Sequence, residues 1–510
     1  MSWRQHLGAL LTINAVWFVY AFVLLFTQGS LPLNPDGNPS QTADLAWNTA
    51  ISFLVNCNIQ HYSGESGATY LTQVGVLMYL QFVSAATGIA ALAIVFEALR
   101  ARTTEALGNF WFFFVRSITR LLLPLSLVVA AVLIFNGVPQ TFQGKDSFVS
   151  IEGDSVQVSR GPVAAFVAIK ELGTNGGGFV GANGAHPLEN PTWLTNLLEI
   201  GAHMLIPFAV VFALGFYLQR RRLAWMIFGT MTVGFAMLLL PTLYYEGAGS
   251  PALSGLGVDQ ALGALEGKEI RFSAITSAFW GITSTIISVG SVNSMHDSWM
   301  PVSGAMAMLG MMINAFYGGC GVGVLNFLVY LIIAVFIAGL MVGRTPEFLG
   351  KKVEASEVKI AILIALLHPF LILASTALAV YGFNHNPEAL AGRLANPGAH
   401  GFSEMLYEYT SASANNGSGF EGLGDNTPWW NISIGVVLLL ARYLPIIGPV
   451  AIAGLLARKR LIPESAGTLR TDTGTFAGMI LAVIWIIAAL AFFPALTLGP
   501  LAEHFALGEN

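Results

Sequence analysis

Charge is what this sequence lacks most. Only 10% of its 510 residues are Asp, Glu, Lys or Arg, against 55% hydrophobic. A soluble domain carries about 25% charged residues, so most of this chain cannot present a surface to water. Lipid is the surrounding that such a composition fits. The formal net charge of −5 is small for the length and gives no basic footprint for a nucleic acid. Cysteine is scarce too. Cys57 and Cys320 are the two present, both in apolar surroundings, and they make no disulfide framework. There is no H-E-x-x-H zinc motif and no G-x-x-x-x-G-K-[ST] phosphate loop. A cleavable secretory signal is not expected. The first apolar run, 7–26, is long enough to span and no A-x-A-like site follows it.

What is present is a series of long apolar runs. Nine spanning segments are expected, at 7–26, 68–98, 116–136, 194–218, 223–244, 299–342, 358–382, 431–457 and 474–500. The sixth is too long. At 1.5 Å per residue it would reach ~65 Å, about twice the hydrocarbon thickness, so it must be broken. Gly318, Gly319, Gly321 and Gly323 mark the place, each costing ~1 kcal/mol in a helix relative to Ala. Fifteen basic residues fall on one side of this topology: Arg4, Arg100, Arg102, Arg116, Arg120, Arg220–Arg222, Arg344, Lys351, Lys352, Lys359 and Arg458–Arg460. That side is expected to be cytoplasmic. The N-terminus then lies in the cytoplasm and the C-terminus outside.

The connections on the other side hold an internal repeat. Trp47, Phe166, Trp280 and Tyr407 are each followed nine residues later by a tripeptide: Asn56-Cys57-Asn58, Asn175-Gly176-Gly177, Val289-Gly290-Ser291 and Asn416-Gly417-Ser418. The even spacing reads as four units of span, short re-entrant helix, small-residue loop and span. Non-helical backbone at membrane depth is tolerated inside protein or along a watery cavity. Four such loops therefore argue for one shared central cavity. Carbonyl rings from four loops can replace the hydration shell of a potassium ion. Glycine permits the dihedrals this needs, and the C-terminal ends of the short helices favour a cation. No carboxylate occurs in the tripeptides, which favours a monovalent ion. The bland alternative is that each Gly-rich stretch is an exposed turn. The common period argues against it.

Several stretches carry a resemblance to a known family: Gly-Thr-Asn-Gly-Gly-Gly-Phe at 173–179, Tyr-Ser-Gly-Glu at 62–65, and Met-His-Asp-Ser at 295–298. Others are Ala-Gly-Leu-Met-Val-Gly-Arg-Thr-Pro-Glu at 338–347, Asn-Asn-Gly-Ser at 415–418, and His-Pro-x-Glu-Asn-Pro at 186–191. They span nearly the whole chain, which resembles the potassium-transporting ATPase A chain, the channel-like subunit of the bacterial Kdp pump. The resemblance implies an all-α polytopic protein of the bacterial inner membrane, with four potassium-channel-like repeats and a C-terminal span. The units are expected at 1–100, 101–219, 220–350, 351–460 and 461–510, the third holding the broken span. K+ is the transported ion, with no tightly bound cofactor expected. The partners implied are a P-type ATPase catalytic subunit and two small membrane subunits, and the resemblance implies that the chain is a non-catalytic subunit among them. A stand-alone potassium channel or ion-coupled transporter is the alternative.

The filter residues so expected are Asn56, Cys57, Asn58, Thr174, Asn175, Gly176, Gly177, Ser288, Val289, Gly290, Asn415, Asn416, Gly417 and Ser418. The glycine break is expected to gate the path below them, with Arg442 at the inner mouth. An arginine at mid-span costs ~2.5–3.5 kcal/mol on insertion scales, so it should face inward to a partner. In the family Gln60 lies near the pore exit; a turn-stabilising role is equally open. Two departures stand out. The family opens with a further spanning helix before the Met-Ser-Trp-Arg-Gln start seen here, so a short N-terminus is expected. The first loop has Val55 and Cys57 where the family has threonines, which implies looser selectivity. Glu199 and His203, four apart, share a helix face and are read as a simple hydrogen bond. Lys170 and Glu171 are assigned no role. Thr471-Asp472-Thr473-Gly474-Thr475 resembles the phosphorylated motif of P-type ATPases but lacks its lysine. It reads as a helix cap, so the chain has no ATP site of its own.

Overall fold

A computed structural model describes residues 1–386, 393–463 and 470–507. Of the expected C-terminal unit 461–510, residues 464–469 and 508–510 lie outside that description. The chain is built of helices. Long helices alternate with short ones: α1 (Trp3–Thr27), α2 (Ala43–Leu54), α3 (Tyr70–Arg100), α4 (Phe110–Phe135), α5 (Val163–Leu172), α6 (Trp193–Tyr217), α7 (Arg221–Ala248) and α8 (Ala274–Ile286). The second half runs through α9 (Pro301–Ile313), α10 (Val322–Met341), α11 (Ala355–His385), α12 (Ala399–Ala414), α13 (Pro428–Arg458), α14 (Gly474–Leu498) and α15 (Pro500–Leu507). Among the described residues, nine helices are long and apolar enough to cross a membrane. They coincide with the nine expected runs, α10 standing for the sixth. One exposed antiparallel hairpin, Asp146–Val149 with Ser155–Val158, follows α4.

The sixth run is broken, as its length requires. The break covers residues 314–321 and is wider at its start than the glycine pattern suggests. Asn314 ends α9 in the left-handed region at φ 45°, and Tyr317 follows at φ 67°. Gly323 does not belong to the break; it lies in the first turn of α10. Its lack of a side chain still matters, because a Cβ there would meet the backbone of Tyr317 and Gly318.

Side-chain exposure sorts the spans into layers. α4 exposes Leu127, Val128 and Phe135, α11 exposes Leu363 and Phe370, and α14 exposes Leu490. Apolar surface of that kind suits lipid rather than water. By contrast α3, α10 and α13 are largely enclosed, and α3 and α13 pack against short helices, α3 on α2 and α5 and α13 on α2 and α12. Close approach there uses glycine. A Cβ at Gly88 of α3 would strike the Cys320 carbonyl of the break, and one at Gly435 of α13 would strike the Trp47 indole of α2. Thr473 caps α14 by accepting the Phe476 N–H at 3.3 Å, so the 471–475 segment is the helix-capping turn expected.

Candidate functional site

Each of the four short helices ends in the same hydrogen-bonded turn. Cys57 N–H donates to Ser52 O (3.1 Å), Asn175 N–H to Lys170 O (2.9 Å), Val289 N–H to Ser284 O (2.8 Å) and Asn416 N–H to Ser411 O (2.9 Å). This six-to-one bond marks the Schellman turn. The residue before it is left-handed every time: Asn56 (φ 65°), Thr174 (φ 49°), Ser288 (φ 56°) and Asn415 (φ 51°). None is glycine, so each carries strain of about 1–2 kcal/mol. Strain repeated at four equivalent places, more than 110 residues apart, points to a shared task.

These bonds correct the register of the first loop. Cys57, not Asn56, is the counterpart of Asn175, Val289 and Asn416. The nine-residue spacing from Trp47 is one short. Asn48, fully buried, takes the place that Phe166, Trp280 and Tyr407 hold elsewhere. Three equivalent positions therefore form the candidate site: Asn56-Cys57-Asn58, Thr174-Asn175-Gly176, Ser288-Val289-Gly290 and Asn415-Asn416-Gly417.

The loops meet in a closed ring. Gly176 N–H of the second donates to Cys57 O of the first at 3.3 Å. A Cβ on Gly176 would come within 2.9 Å of the Gly290 Cα in the third, and one on Gly290 would strike the Asn416 carbonyl in the fourth. A Cβ on Gly417 would strike the Cys57 carbonyl and so close the circuit. Glycine is required at these points, since Gly290 (φ 85°) and Gly417 (φ 112°) are also in the region that L side chains avoid. Side chains tie the ring further. Asn56 Nδ2 donates to Thr174 O (2.7 Å), Asn58 Nδ2 to Gly176 O (2.7 Å) and Ser288 Oγ to Ala414 O (3.1 Å). Second-position side chains turn to neighbouring helices: Asn175 Nδ2 donates to Gln81 O, and Asn416 Nδ2 to Ser284 O. Gly177 and Ser418 follow directly. Ser418 Oγ bonds Asn416 Oδ1 at 2.6 Å. Gln60 Oε1 accepts the Gly178 N–H at 2.7 Å, stitching the first loop to the second at the end away from Thr174.

The break lies against the other end of the ring. Cys320 N–H donates to Thr174 Oγ1 at 2.8 Å, and a Cβ on Gly319 would lie 3.3 Å from that oxygen and 3.8 Å from Ser288 O. Asn314 accepts from Ser288 Oγ (3.2 Å) and donates to Ala414 O (3.3 Å). Between them is a small cavity lined by Asn56, Ser288, Asn415, Gly318, Gly319 and Arg442. Arg442 is buried and donates to Ser84 O at 3.3 Å. Among the described residues no carboxylate lies within 4.0 Å of it, so its partner is a backbone carbonyl of α3.

Charged groups surround the ring. His61 Nε2 lies 3.2 Å from Glu408 and 3.8 Å from Asp425, with Nδ1 2.6 Å from Asn431 Oδ1. Burial lowers the affinity of His61 for a proton, but Asp425 and Glu408 outweigh it and hold the imidazole up at about 9. His203 is a second correction: its Nε2 contacts Glu171 Oε2, not Glu199, whose two oxygens accept no hydrogen bond among the described residues. Lys170 and Glu171 are both fully buried. Sequence reasoning missed Ser84, whose hydroxyl reaches Asn56 Oδ1 (3.0 Å) and Asn175 Oδ1 (3.1 Å), and it missed Asn314. Polar residues inside apolar runs were the available signal.

Fold and site together define a class: a polytopic α-helical membrane protein in which four short helices each end in one loop of a closed ring. A solved structure of similar fold is the potassium transporter TrkH from Vibrio parahaemolyticus. Its TM-score is 0.52 at 15% identity, covering 87% of this chain and 84% of that one. Over residues 1–505 the chain matches the family described as KdpA, potassium-transporting ATPase A subunit. It is 66% identical to the potassium-transporting ATPase potassium-binding subunit of Flavobacterium johnsoniae, covering 99% of this chain and 90% of that protein. The subunit so named in Alicyclobacillus acidocaldarius is 48% identical, over 100% of this chain and 89% of that protein. This chain belongs to the potassium-transporting ATPase A subunit family.

Proposed function

We propose that this chain is the potassium-binding and translocating subunit of an ATP-driven uptake pump, and that the ion is held where the four loops meet. The observation that carries this reading is the closed circuit of loop contacts through Cys57, Gly176, Gly290 and Asn416–Gly417. Main-chain oxygens brought that close can replace the water lost by an alkali ion. The C-terminal ends of α2, α5, α8 and α12 abut the ring, adding partial negative charge. No acidic side chain is needed in the ring itself. Potassium enters the ring from outside, waits above the break, and moves on when the residues 314–321 yield. Gly318, Gly319, Gly321, Gly323 and Arg442 would act at that step, and Gln60 would brace the outer turn of the second loop.

The chain is multi-pass, with nine candidate spans among the described residues. We place it in the bacterial inner membrane with the N-terminus cytoplasmic and the C-terminus periplasmic, following its basic residues. Its repeats are taken as 1–100, 101–219, 220–350 and 351–460, with 461–510 as a final span. A P-type ATPase catalytic subunit and two small membrane subunits would complete the complex and supply the energy.

A stand-alone channel is the second reading, and the break packed under the loops disfavours it. The test is potassium flux. The chain purified with its membrane partners, in liposomes at clamped potential, should take up potassium only with ATP. Steady potassium current through the chain alone would overturn the pump reading.

A further inference from the structure

One of the four turns is built differently from the rest. The residue whose carbonyl accepts the six-to-one bond is Ser52, Ser284 or Ser411 in three of them, and Lys170 in the second. That lysine is fully enclosed, as are Glu171 and Glu189. Buried ion pairs rarely repay their desolvation in stability, and the other three turns form with a serine, not a charged residue, at the equivalent position. A purpose beyond folding is therefore indicated.

The contacts show what the cluster holds. Lys170 Nζ lies 2.7 Å from Glu189 Oε2, 3.1 Å from Glu171 Oε1 and 2.7 Å from Asn183 Oδ1. Glu189 Oε1 accepts the Val180 N–H at 2.9 Å, in the segment leaving the second loop. Glu171 Oε1 accepts from Ser291 Oγ at 2.9 Å, and Ser291 directly follows Gly290 in the third loop. Ser291 Oγ also reaches Asn183 Oδ1 at 3.3 Å, while Ser291 O accepts from the Trp280 indole at 3.0 Å. His203 of α6 closes the far side, contacting Glu171 Oε2 and standing edge-on to Trp280. One lysine thus ties the exit of the second loop to the exit of the third.

We propose that the Lys170–Glu171–Glu189 cluster is a positioning clamp that sets the width of the ring between the second and third loops, and so its discrimination among alkali ions. Charge-assisted hydrogen bonds are shorter and stiffer than neutral ones. A stiff tie on one quadrant resists the expansion that a larger ion needs and the contraction that a smaller one needs. The proposal rests on the reading of the loops as the ion site.

The test is binding of radioactive rubidium to the full-length chain purified in detergent, displaced by potassium, sodium or caesium. Two variants are used. Glu189→Gln leaves Lys170 with one carboxylate fewer; Ser291→Ala removes the hydroxyl that ties the third loop to Glu171 and Asn183 and leaves every charge in place. Both should change the potassium-to-sodium or potassium-to-caesium preference, by about tenfold for Glu189→Gln and severalfold for Ser291→Ala. A merely structural cluster would lower yield or melting temperature and leave the preference ratios alone. If Glu189→Gln does not fold, Ser291→Ala decides. Unchanged ratios in folded Ser291→Ala, with rubidium still bound, overturn the clamp and leave the ion site standing. Loss of the site itself would appear otherwise: wild-type chain that binds no rubidium refutes both.

Discussion

Gly290→Ala is the sharpest perturbation available to the ring. Gly290 has φ 85°, and a Cβ built there would strike the Asn416 carbonyl, with Gly417 Cα at 2.9 Å. The left-handed backbone alone costs an L residue about 1–2 kcal/mol. The clash adds to this, because Asn416 is anchored by bonds to Ser411 O and Ser284 O and cannot simply retreat. If only the dihedral strain falls on the ion-bound ring, potassium affinity drops about 5–30-fold; displacement of the Asn416 carbonyl makes the loss larger. The assay is displacement of radioactive rubidium by potassium on the purified chain, beside a thermal melt. Gly201→Ala is the control. Gly201 sits in α6 with nothing within 4 Å of its Cβ position, and alanine there should leave binding as it is. Gly290→Ala that folds normally and binds potassium with wild-type affinity would refute the argument that the third and fourth loops touch at the ion.

Three further outcomes are expected. His61 has its proton affinity raised from 6.5 to about 9 in the fold by Asp425 and Glu408, and Asp425 is itself raised to about 7, so the stability of the charged pair is lost as pH rises from about 7 through about 9. The melting temperature of the purified chain should fall over that window, and His61→Gln should flatten the fall; identical slopes would sink the idea. Arg442→Leu removes a charge beside the cavity under the ring. Arg442 lines that cavity, and a fixed like charge opposes the passage of a cation there. Passive potassium leak into proteoliposomes should therefore rise, and an unchanged leak counts against a barrier role. Cys57 meets its neighbouring loops through its carbonyl. Cys57→Ser should hold potassium affinity within about threefold, whereas a large change would mean that the side chain coordinates.

How much was legible beforehand follows from the range of each interaction. Spans are a local matter: an apolar run of sufficient length has no other way to satisfy its backbone in lipid. Among the described residues each of the nine runs therefore yields one helix long enough to span, the sixth with the shorter α9 ahead of its break. The break was legible because a run of over 40 residues exceeds the membrane. Its true start, at Asn314, was not, since asparagine ends a helix only where its left-handed turn finds partners. Here they are Ser288 and Ala414, carried by other loops. The register of the first loop is not legible from aromatic spacing, because Trp47 stands one residue before the position that is aromatic in the other three units. The actual anchor position holds Asn48, and only the bond from Cys57 to Ser52 reveals it.

The amino-acid order alone determined the number of spans, the broken one, the four helix-and-loop units and the cap before α14, because each depends on neighbours within a few turns of chain. Only the tertiary structure decided that the loops close into one circuit, that Arg442 rests on Ser84, that His203 meets Glu171, and that Lys170 bridges two loops. Those pairings join residues from tens to hundreds of positions apart. No local pattern encodes which of many buried polar groups will be brought within 3 Å of another; packing of the spans makes that choice.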